Sequence, residues 1–205
     1  SLFRRRLTAC VSSQVGCAVR CNFCASGLGG VVRNLTAHEI LEQYFLQGVV
    51  AGKIPNHVVF MGMGEPFFNV EAVARAVALL TAPWGGGLGQ RRVTVSTSGV
   101  APEIARFAEW GGQARLSVSL HAAEDPLRDR LVPLNRKWPL ERLAEAIRAY
   151  TDSSGRQVTF EYVLLEDVND GEEDARSLAR YARRFPSSVN LIPYNAVPEF
   201  PHRAP

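Results

Sequence analysis

After Cys24 the 205-residue chain contains no cysteine, and Ser1–Ala9 contains no acidic residue. Its four cysteines are Cys10 and a crowded trio, Cys17, Cys21 and Cys24. That distribution argues against a disulfide framework and suits a reducing compartment and metal ligation. No apolar run approaches the ~20 residues that span a bilayer. Ser1-Leu-Phe-Arg-Arg-Arg6 leads straight into Leu7-Thr-Ala-Cys10 without the apolar stretch of a signal peptide. Neither sign of charge dominates: the net +3 permits a nucleic-acid partner without demanding one. Repeats, low-complexity tracts and a dividing linker are all lacking. With 46% apolar and 21% charged residues, the composition predicts one soluble domain with a sizeable core, cytoplasmic, monomeric and free of membrane contact.

What is present is concentrated in Cys17-Ala-Val-Arg-Cys21-Asn-Phe-Cys24, spaced C-x3-C-x2-C. A four-iron, four-sulfur cluster held only by protein uses four thiolates. Three clustered thiolates ligate three irons and leave the fourth open to a ligand with its own oxygen and nitrogen, as the amino-acid end of S-adenosylmethionine provides. Radical chemistry on such a pair is borne by the cofactors, and the protein positions and contains it. A structural zinc site is the competing reading, since His38 or Cys10 could complete a tetrahedron, although zinc usually pairs one C-x2–4-C with a second pair. Phe23, just before the last ligand, could pack on a nucleoside or simply fill the loop.

Apolar β-branched runs alternate with amphipathic helical patterns, which predicts βα units and a parallel sheet. Strands are expected at Leu7–Ser12, His57–Met61, Arg92–Thr97, Ala114–Leu120, Gln157–Leu164 and Val189–Pro193. The first helix opens on Thr36-Ala-His-Glu39, a capping-box pattern, and turns Ile40, Leu41, Tyr44 and Phe45 to one face. A second follows Asn69, with Val70, Val73, Ala74, Val77 and Leu80 at helical spacing, and a third carries Pro102 in its first turn. Two more cover Leu140–Tyr150, with Leu143 and Ile147 inward, and Glu172–Phe185, with Ala175, Leu178 and Ala182 inward. Six strands with five helices between them roll into an open barrel or a doubly wound sheet. Ligands gather at the carboxyl ends of such strands. Cys10 and the cysteine loop, Met61-Gly-Met-Gly-Glu-Pro66, Ser96-Thr-Ser-Gly99, Ser119-Leu-His121 and Pro193-Tyr-Asn195 all follow strands and so face one mouth.

These stretches, with Arg33-Asn-Leu35, Arg91-Arg-Val-Thr-Val95, Val158-Thr-Phe-Glu-Tyr-Val163, Val168-Asn-Asp-Gly171 and Asn190-Leu-Ile-Pro-Tyr-Asn195, run nearly end to end. Together they resemble the radical S-adenosylmethionine RNA methyltransferases that modify adenine carbon 2 in 23S rRNA and tRNA (the RlmN type), with the carbon 8 enzymes (the Cfr type) as close relatives. The cysteine triplet alone would indicate only the superfamily. The cysteine seven residues before it and the M-G-M-G-E-P and S-T-S-G segments narrow the match.

The resemblance implies a partial (β/α)6 barrel of six mainly parallel strands. It assigns the cluster to Cys17, Cys21 and Cys24, and S-adenosylmethionine to Gly64, Glu65, Ser96, Ser119, Leu120 through its backbone, His121 and Asn195. An external electron donor would reduce the cluster. In the family a methyl group is first placed on a cysteine near the C-terminus, loses a hydrogen to a 5′-deoxyadenosyl radical and adds to adenine. A second cysteine, matched by Cys10, then attacks the methyl-bearing sulfur and releases the product as a disulfide forms. The carrier cysteine, a glutamate proton acceptor upstream of Cys10 and an N-terminal accessory domain have no counterpart in residues 1–205, so the chain is expected to be a radical core unable to turn over alone. Two rivals stand beside this reading: a zinc-stabilised RNA-binding module, and a radical enzyme acting on a peptide or small metabolite. Basic groups that could meet RNA phosphates are Arg4-Arg5-Arg6, Arg91-Arg92, Arg136-Lys137 and Arg183-Arg184.

Overall fold

A computed structural model describes residues 6–205. Along the chain run β1 (Thr8–Cys10), β2 (Gln14–Gly16), β3 (Val31–Asn34), α1 (Ala37–Val50), β4 (His57–Phe60), α2 (Val70–Thr81), β5 (Val93–Thr97), α3 (Ala101–Trp110), β6 (Arg115–Ser119), α4 (Asp125–Leu131), α5 (Leu140–Ser154), β7 (Val158–Leu164), α6 (Glu172–Ala182) and β8 (Ser187–Pro193). Six of these strands form one sheet in the order β1-β4-β5-β6-β7-β8, every pairing parallel. The sheet curls into a half-barrel with helices on its outer face. Parallel neighbours need a crossover, and the helices supply it.

Alternation along the strands sorts the two faces. Val58, Phe60, Val93, Val95, Leu116, Val118, Val158, Phe160 and Tyr162 are buried in the core beneath the helices. The alternate positions are mostly polar, Val59 and Val163 excepted, and three hydrogen bonds cross the inner face: Ser117 Oγ donates to Glu161 (3.1 Å), Asn190 Nδ2 donates to its other oxygen (2.7 Å), and the Thr159 and Ser188 hydroxyls pair (3.2 Å). That face is a polar concavity rather than a second packed layer. Beneath α3 and α5 the aromatic rings of Phe67, Phe107, Trp110 and Tyr150 pack at 4.7–5.9 Å between centroids, which adds geometric specificity to simple burial.

The expected helices are all present. Thr36 and Glu39 form the capping box at α1, and Pro102 sits in the first turn of α3. Two elements escaped the sequence reading. A two-stranded antiparallel ribbon, β2 with β3, brackets the cysteine loop, and the seven-residue α4 raises the α-helix count among the described residues to six. Leu7–Ser12 yields only the three residues of β1, because beyond Val11 the chain leaves the sheet: the Ser13 and Gln14 N–H groups donate to the Met63 carbonyl (2.9 and 3.2 Å). α5 runs on to Ser154 and stops at Gly155, whose φ of 65° suits only glycine comfortably. α6 ends at Ala182 and turns Ser177 and Tyr181 inward with Leu178 and Ala182, while Ala175 is exposed. Among the described residues no helix is long and apolar enough to cross a membrane.

β1 is the edge strand, and α1 closes it with two glutamines one turn apart. Gln47 Oε1 accepts from the Cys10 N–H (3.1 Å) while its Nε2 donates to the Cys10 carbonyl (2.8 Å). Gln43 repeats the pattern on Ser12 (2.8 and 3.2 Å). Each side-chain amide replaces the peptide of a missing neighbour strand, which blunts an edge that would otherwise pair promiscuously. Replacing both glutamines by Leu removes the four hydrogen bonds to Cys10 and Ser12, worth about 0.5–1 kcal/mol each at this exposed edge. The expected outcome is a loss of about 2–4 kcal/mol in urea unfolding, with faster amide exchange at Cys10 and Ser12; unchanged exchange there would refute the edge-closing role.

Candidate active site

The loops after the parallel strands meet around one open cavity of ≈ 210 Å³, several times the ~30 Å³ of a water molecule. Cys17, Cys21 and Cys24 line one side, Gly64 and Glu65 another, and Ser96, Ser119 and His121 the strand ends. Eight of the eleven residues singled out from sequence therefore converge. Leu120 is wholly buried, with its N–H donating to the Glu161 carbonyl and its own carbonyl accepting from Arg128, so it does not line the cavity. Asn195 lies exposed two residues beyond β8, outside the lining. Cys10 also lies outside it, at the carboxyl end of β1, with its sulfur against the backbone of the lining residue Met61.

The cysteine loop is held at both ends. The Cys17 N–H donates to the Gly30 carbonyl (2.9 Å) and the Asn22 N–H to the Leu131 carbonyl of α4 (3.1 Å). Val19 and Phe23 anchor it in a small apolar cluster with Ala122, Leu131, Val132, Leu165 and Tyr194. Phe23 also stands edge-on to His121, 4.8 Å between ring centroids. Burial pushes the Cys21 and Cys17 thiols up, and for Cys21 the other two cysteines add to the effect. These groups are protonated when empty, so metal loading must displace their protons.

Gly64 shows why the segment after β4 cannot carry a larger residue. Its φ is 105°, and a Cβ there would lie 2.8 Å from the Gln14 backbone nitrogen. The approach is close because Gln14 Oε1 accepts from the Glu65 N–H (2.9 Å) while Met63 bonds back to Ser12 and Ser13. The Glu65 carboxylate is 1% exposed and accepts from the N–H groups of Phe67 (3.1 Å) and Ser98 (2.6 Å). Burial pushes it up from the ordinary carboxylate range, opposed by those N–H donors. Glu65 thus reaches the cavity wall as a clamp between the loops after β4 and β5, with lone pairs left for one more donor.

His121 adopts φ 59°, a strained conformation for a non-glycine residue and one often stored at functional sites. Its carbonyl accepts from Asn169 Nδ2 (2.8 Å), and its Nδ1 accepts from the Val163 N–H (3.1 Å), which assigns the ring proton to Nε2. Burial, assisted by the Arg128 charge, pushes its pKa down to about 3, so the imidazole is neutral at physiological pH. Sequence reasoning missed Glu161, a 7% exposed carboxylate on the cavity floor, and Arg128, a wholly buried guanidinium behind the wall. The alternation Val158-Thr-Phe-Glu-Tyr162 signalled Glu161, whereas Asp125-Pro-Leu-Arg-Asp-Arg130 reads as solvated surface.

The zinc reading loses its fourth ligand: His38 lies on the exposed side of α1, and neither it nor Cys10 lines the cysteine cavity. Among the described residues no group of three or more His, Cys, Asp or Glu side chains is drawn together closely enough to hold a metal ion, the three cysteines included. Three thiols around a broad cavity with polar strand ends opposite fit a wider polynuclear cluster and an amino-acid-bearing nucleoside.

The model of the Radical SAM superfamily matches residues 11–179. A probable dual-specificity RNA methyltransferase RlmN from Akkermansia muciniphila is 46% identical over 200 residues, covering 98% of this chain and 56% of the relative. The dual-specificity RNA methyltransferase RlmN of Sorangium cellulosum is 51% identical over 197 residues, covering 95% of this chain and 51% of its own. The chain therefore spans about half the length of the curated relatives it matches. A radical SAM methyltransferase from Sphaerobacter thermophilus superposes with a TM-score of 0.94 at 49% identity over 100% of this chain and 61% of that structure.

Although Cys10 is an exposed residue, partial burial of its thiol pushes it up, only partly offset by the Met61 backbone. A raised pKa means a smaller thiolate fraction at neutral pH than in free cysteine, whose value is about 8.5. Alkylation of Cys10 by iodoacetamide, followed by peptide mass spectrometry, should be slower than that of free cysteine at pH 7 and rise through a midpoint above that value. A midpoint at or below it would show a thiol activated without help.

Proposed function

The chain belongs to the radical SAM superfamily, and we propose that it is the radical core of an RNA methyltransferase that modifies adenine carbon 2 in rRNA and tRNA. The observation that carries the proposal is the seat of Cys10. A second, separately held thiol beside Met61, at the rim of the cavity lined by the other three, serves no purpose in cluster ligation but suits covalent catalysis there. Relatives near 50% identity named as RNA methyltransferases support the substrate class.

Cys17, Cys21 and Cys24 would hold a [4Fe–4S] cluster, and Gly64, Glu65, Ser96, Ser119 and His121 would surround S-adenosylmethionine; the bound pair, once reduced by an external donor, supplies a carbon-centred radical. The protein's own part is positioning. The Gly64 backbone admits close approach, the Glu65 carboxylate can accept from an ammonium group, and neutral His121 offers its Nε2 proton. The polar inner face, with Glu161, Ser117 and Asn190, gives an unstacked base hydrogen-bonding partners, and base chemistry requires extrusion from the stack. Cys10 would then attack the sulfur of a methyl-carrying cysteine outside residues 1–205. A sulfur–sulfur bond forms, the carbon–sulfur bond to the adduct breaks, and its electron pair is left on the product, to be protonated there.

The fold separates the basic groups. Arg136-Lys137 lies beside Ala18 and Val19 of the cysteine loop, at the mouth. Arg91-Arg92 precedes β5 and Arg183-Arg184 precedes β8, at the opposite end of the sheet, and Arg184 is already paired with Glu141 (2.7 Å). Arg4 and Arg5 lie outside the described residues, and Arg6 precedes β1. Arg136 and Lys137 are therefore the proposed phosphate contacts.

The test is mass spectrometry of rRNA and tRNA nucleosides from cells lacking the full-length gene. 2-Methyladenosine should disappear, return with the intact gene and stay absent with Cys10→Ala; loss of 8-methyladenosine instead would assign the carbon 8 reaction. If 2-methyladenosine persists with no other enzyme supplying it, the proposal fails. In a second arm, Arg136→Ala with Lys137→Ala should weaken RNA binding and reduce its salt slope by about two, while Arg91→Ala with Arg92→Ala should leave both unchanged.

A further inference from the structure

Arg128 is the only lysine or arginine buried among the described residues, at 0% exposure. Its partners are unusual for an ion. Nε donates to the Leu120 carbonyl (3.0 Å), Nη2 to the carbonyls of Ser98 (2.7 Å) and Ser119 (3.2 Å), and Nη1 to Asn135 Oδ1 (2.7 Å). No carboxylate among the described residues touches it. Asp125 and Asp129 are one step removed, each accepting from Asn135 Nδ2 (2.8 and 2.6 Å). Burying a cation without a directly paired anion is costly, and natural folds pair such groups.

The missing anion has an evident source. Ser98 and Ser119, whose carbonyls hold the guanidinium, line the same cavity as the three cysteines. α4, which carries Arg128, receives the Asn22 N–H on Leu131, and Leu131 packs with Cys17, Cys21 and Cys24 in one cluster. Buried Glu65 and Glu161 on the cavity wall add only negative charge.

We propose that Arg128 is the built-in counter-charge of the cluster: the strand-end carbonyls hold it rigidly behind the cavity wall, where it offsets the thiolates' negative charge and favours uptake of the reducing electron. The inference rests on the cluster reading of Cys17, Cys21 and Cys24. One-electron reduction adds a negative charge to a group already made negative by three thiolates, so a fixed cation nearby stabilises the reduced form more than the oxidised one. The same residue positions Ser98, Ser119 and His121 by tying together the ends of β5 and β6.

The charge and the hydrogen-bonding fork can be separated in the full-length protein reconstituted anaerobically with iron and sulfide. The readout is the midpoint potential from a redox titration followed by electron paramagnetic resonance. Arg128→Met, neutral and of similar length, should make the reduction equilibrium about tenfold less favourable, roughly 59 mV more negative for a one-electron couple. Arg128→Lys keeps the charge and loses the fork, so it should stay within threefold of the unaltered protein even where thermal stability falls. Asp129→Asn leaves the guanidinium in place and removes a negative charge behind it, so its potential should move in the positive direction. Equal shifts for the Met and Lys variants would overturn the proposal by showing that only the fork matters. Should Arg128→Met fail to fold, an unmoved or more negative potential in Asp129→Asn would overturn it. Absence of iron and sulfide from the unaltered protein would instead remove the cluster reading, before any variant is compared.

Discussion

The buried Glu65 carboxylate accepts from the backbone N–H groups of Phe67 and Ser98, while its own N–H is held by the side chain of Gln14. Through this one residue the segments after β1, β4 and β5 are fixed to one another at the carboxyl end of the sheet. Arg128 continues the arrangement, gathering the carbonyls of Ser98, Ser119 and Leu120 and bringing α4 beneath the cysteine loop. Two buried charges, each bonded to backbone rather than to each other, shape the mouth of the half-barrel. Charge-assisted bonds to backbone are stronger than neutral ones and expensive to leave unmade. They suit a rim where loops must hold a cofactor without the support of regular secondary structure.

The inner face follows from the same economy of packing. A parallel sheet covered on both sides reads as continuous apolar strands, but here mostly polar residues alternate with the core positions, leaving a concavity lined by Glu161, which Ser117 and Asn190 hold from behind. A cavity of this kind holds a ligand with many donors and acceptors, which a nucleoside has. Cys10 is placed at its rim by β1 and by the Gln43 and Gln47 amides, not by the cysteine loop. Its position is accordingly set separately from that of the other three cysteines.

Much of this was legible in the chain. Val93-Thr-Val-Ser-Thr97 and Val158-Thr-Phe-Glu-Tyr162 declare strands by residue type, Thr36 and Glu39 declare the start of α1, and the turn-rich segments after each strand place the site at one end. The β2–β3 ribbon was not legible, because two short strands embedded among glycines carry no alternation to detect. α4 was too short to show a helical period. Arg128 was hidden for a different reason: in Asp125-Pro-Leu-Arg-Asp-Arg130 it is indistinguishable from its exposed neighbour Arg130, and only the tertiary convergence of three strand-end carbonyls selects it. Leu120 and Asn195, assigned by the family resemblance, lie outside the cavity lining, because one is sealed beneath its own backbone hydrogen bonds and the other is exposed beyond β8.

Held by Cys17, Cys21 and Cys24 as proposed, a cluster would keep one iron open to S-adenosylmethionine. Mössbauer spectroscopy of the protein reconstituted with isotopically enriched iron tests this most directly, read before and after S-adenosylmethionine is added. About four irons with as many sulfides per chain are expected, and on addition a spectral shift confined to about one iron in four. A stoichiometric zinc ion without sulfide, or a cluster whose irons all stay unchanged when S-adenosylmethionine is added, would contradict it.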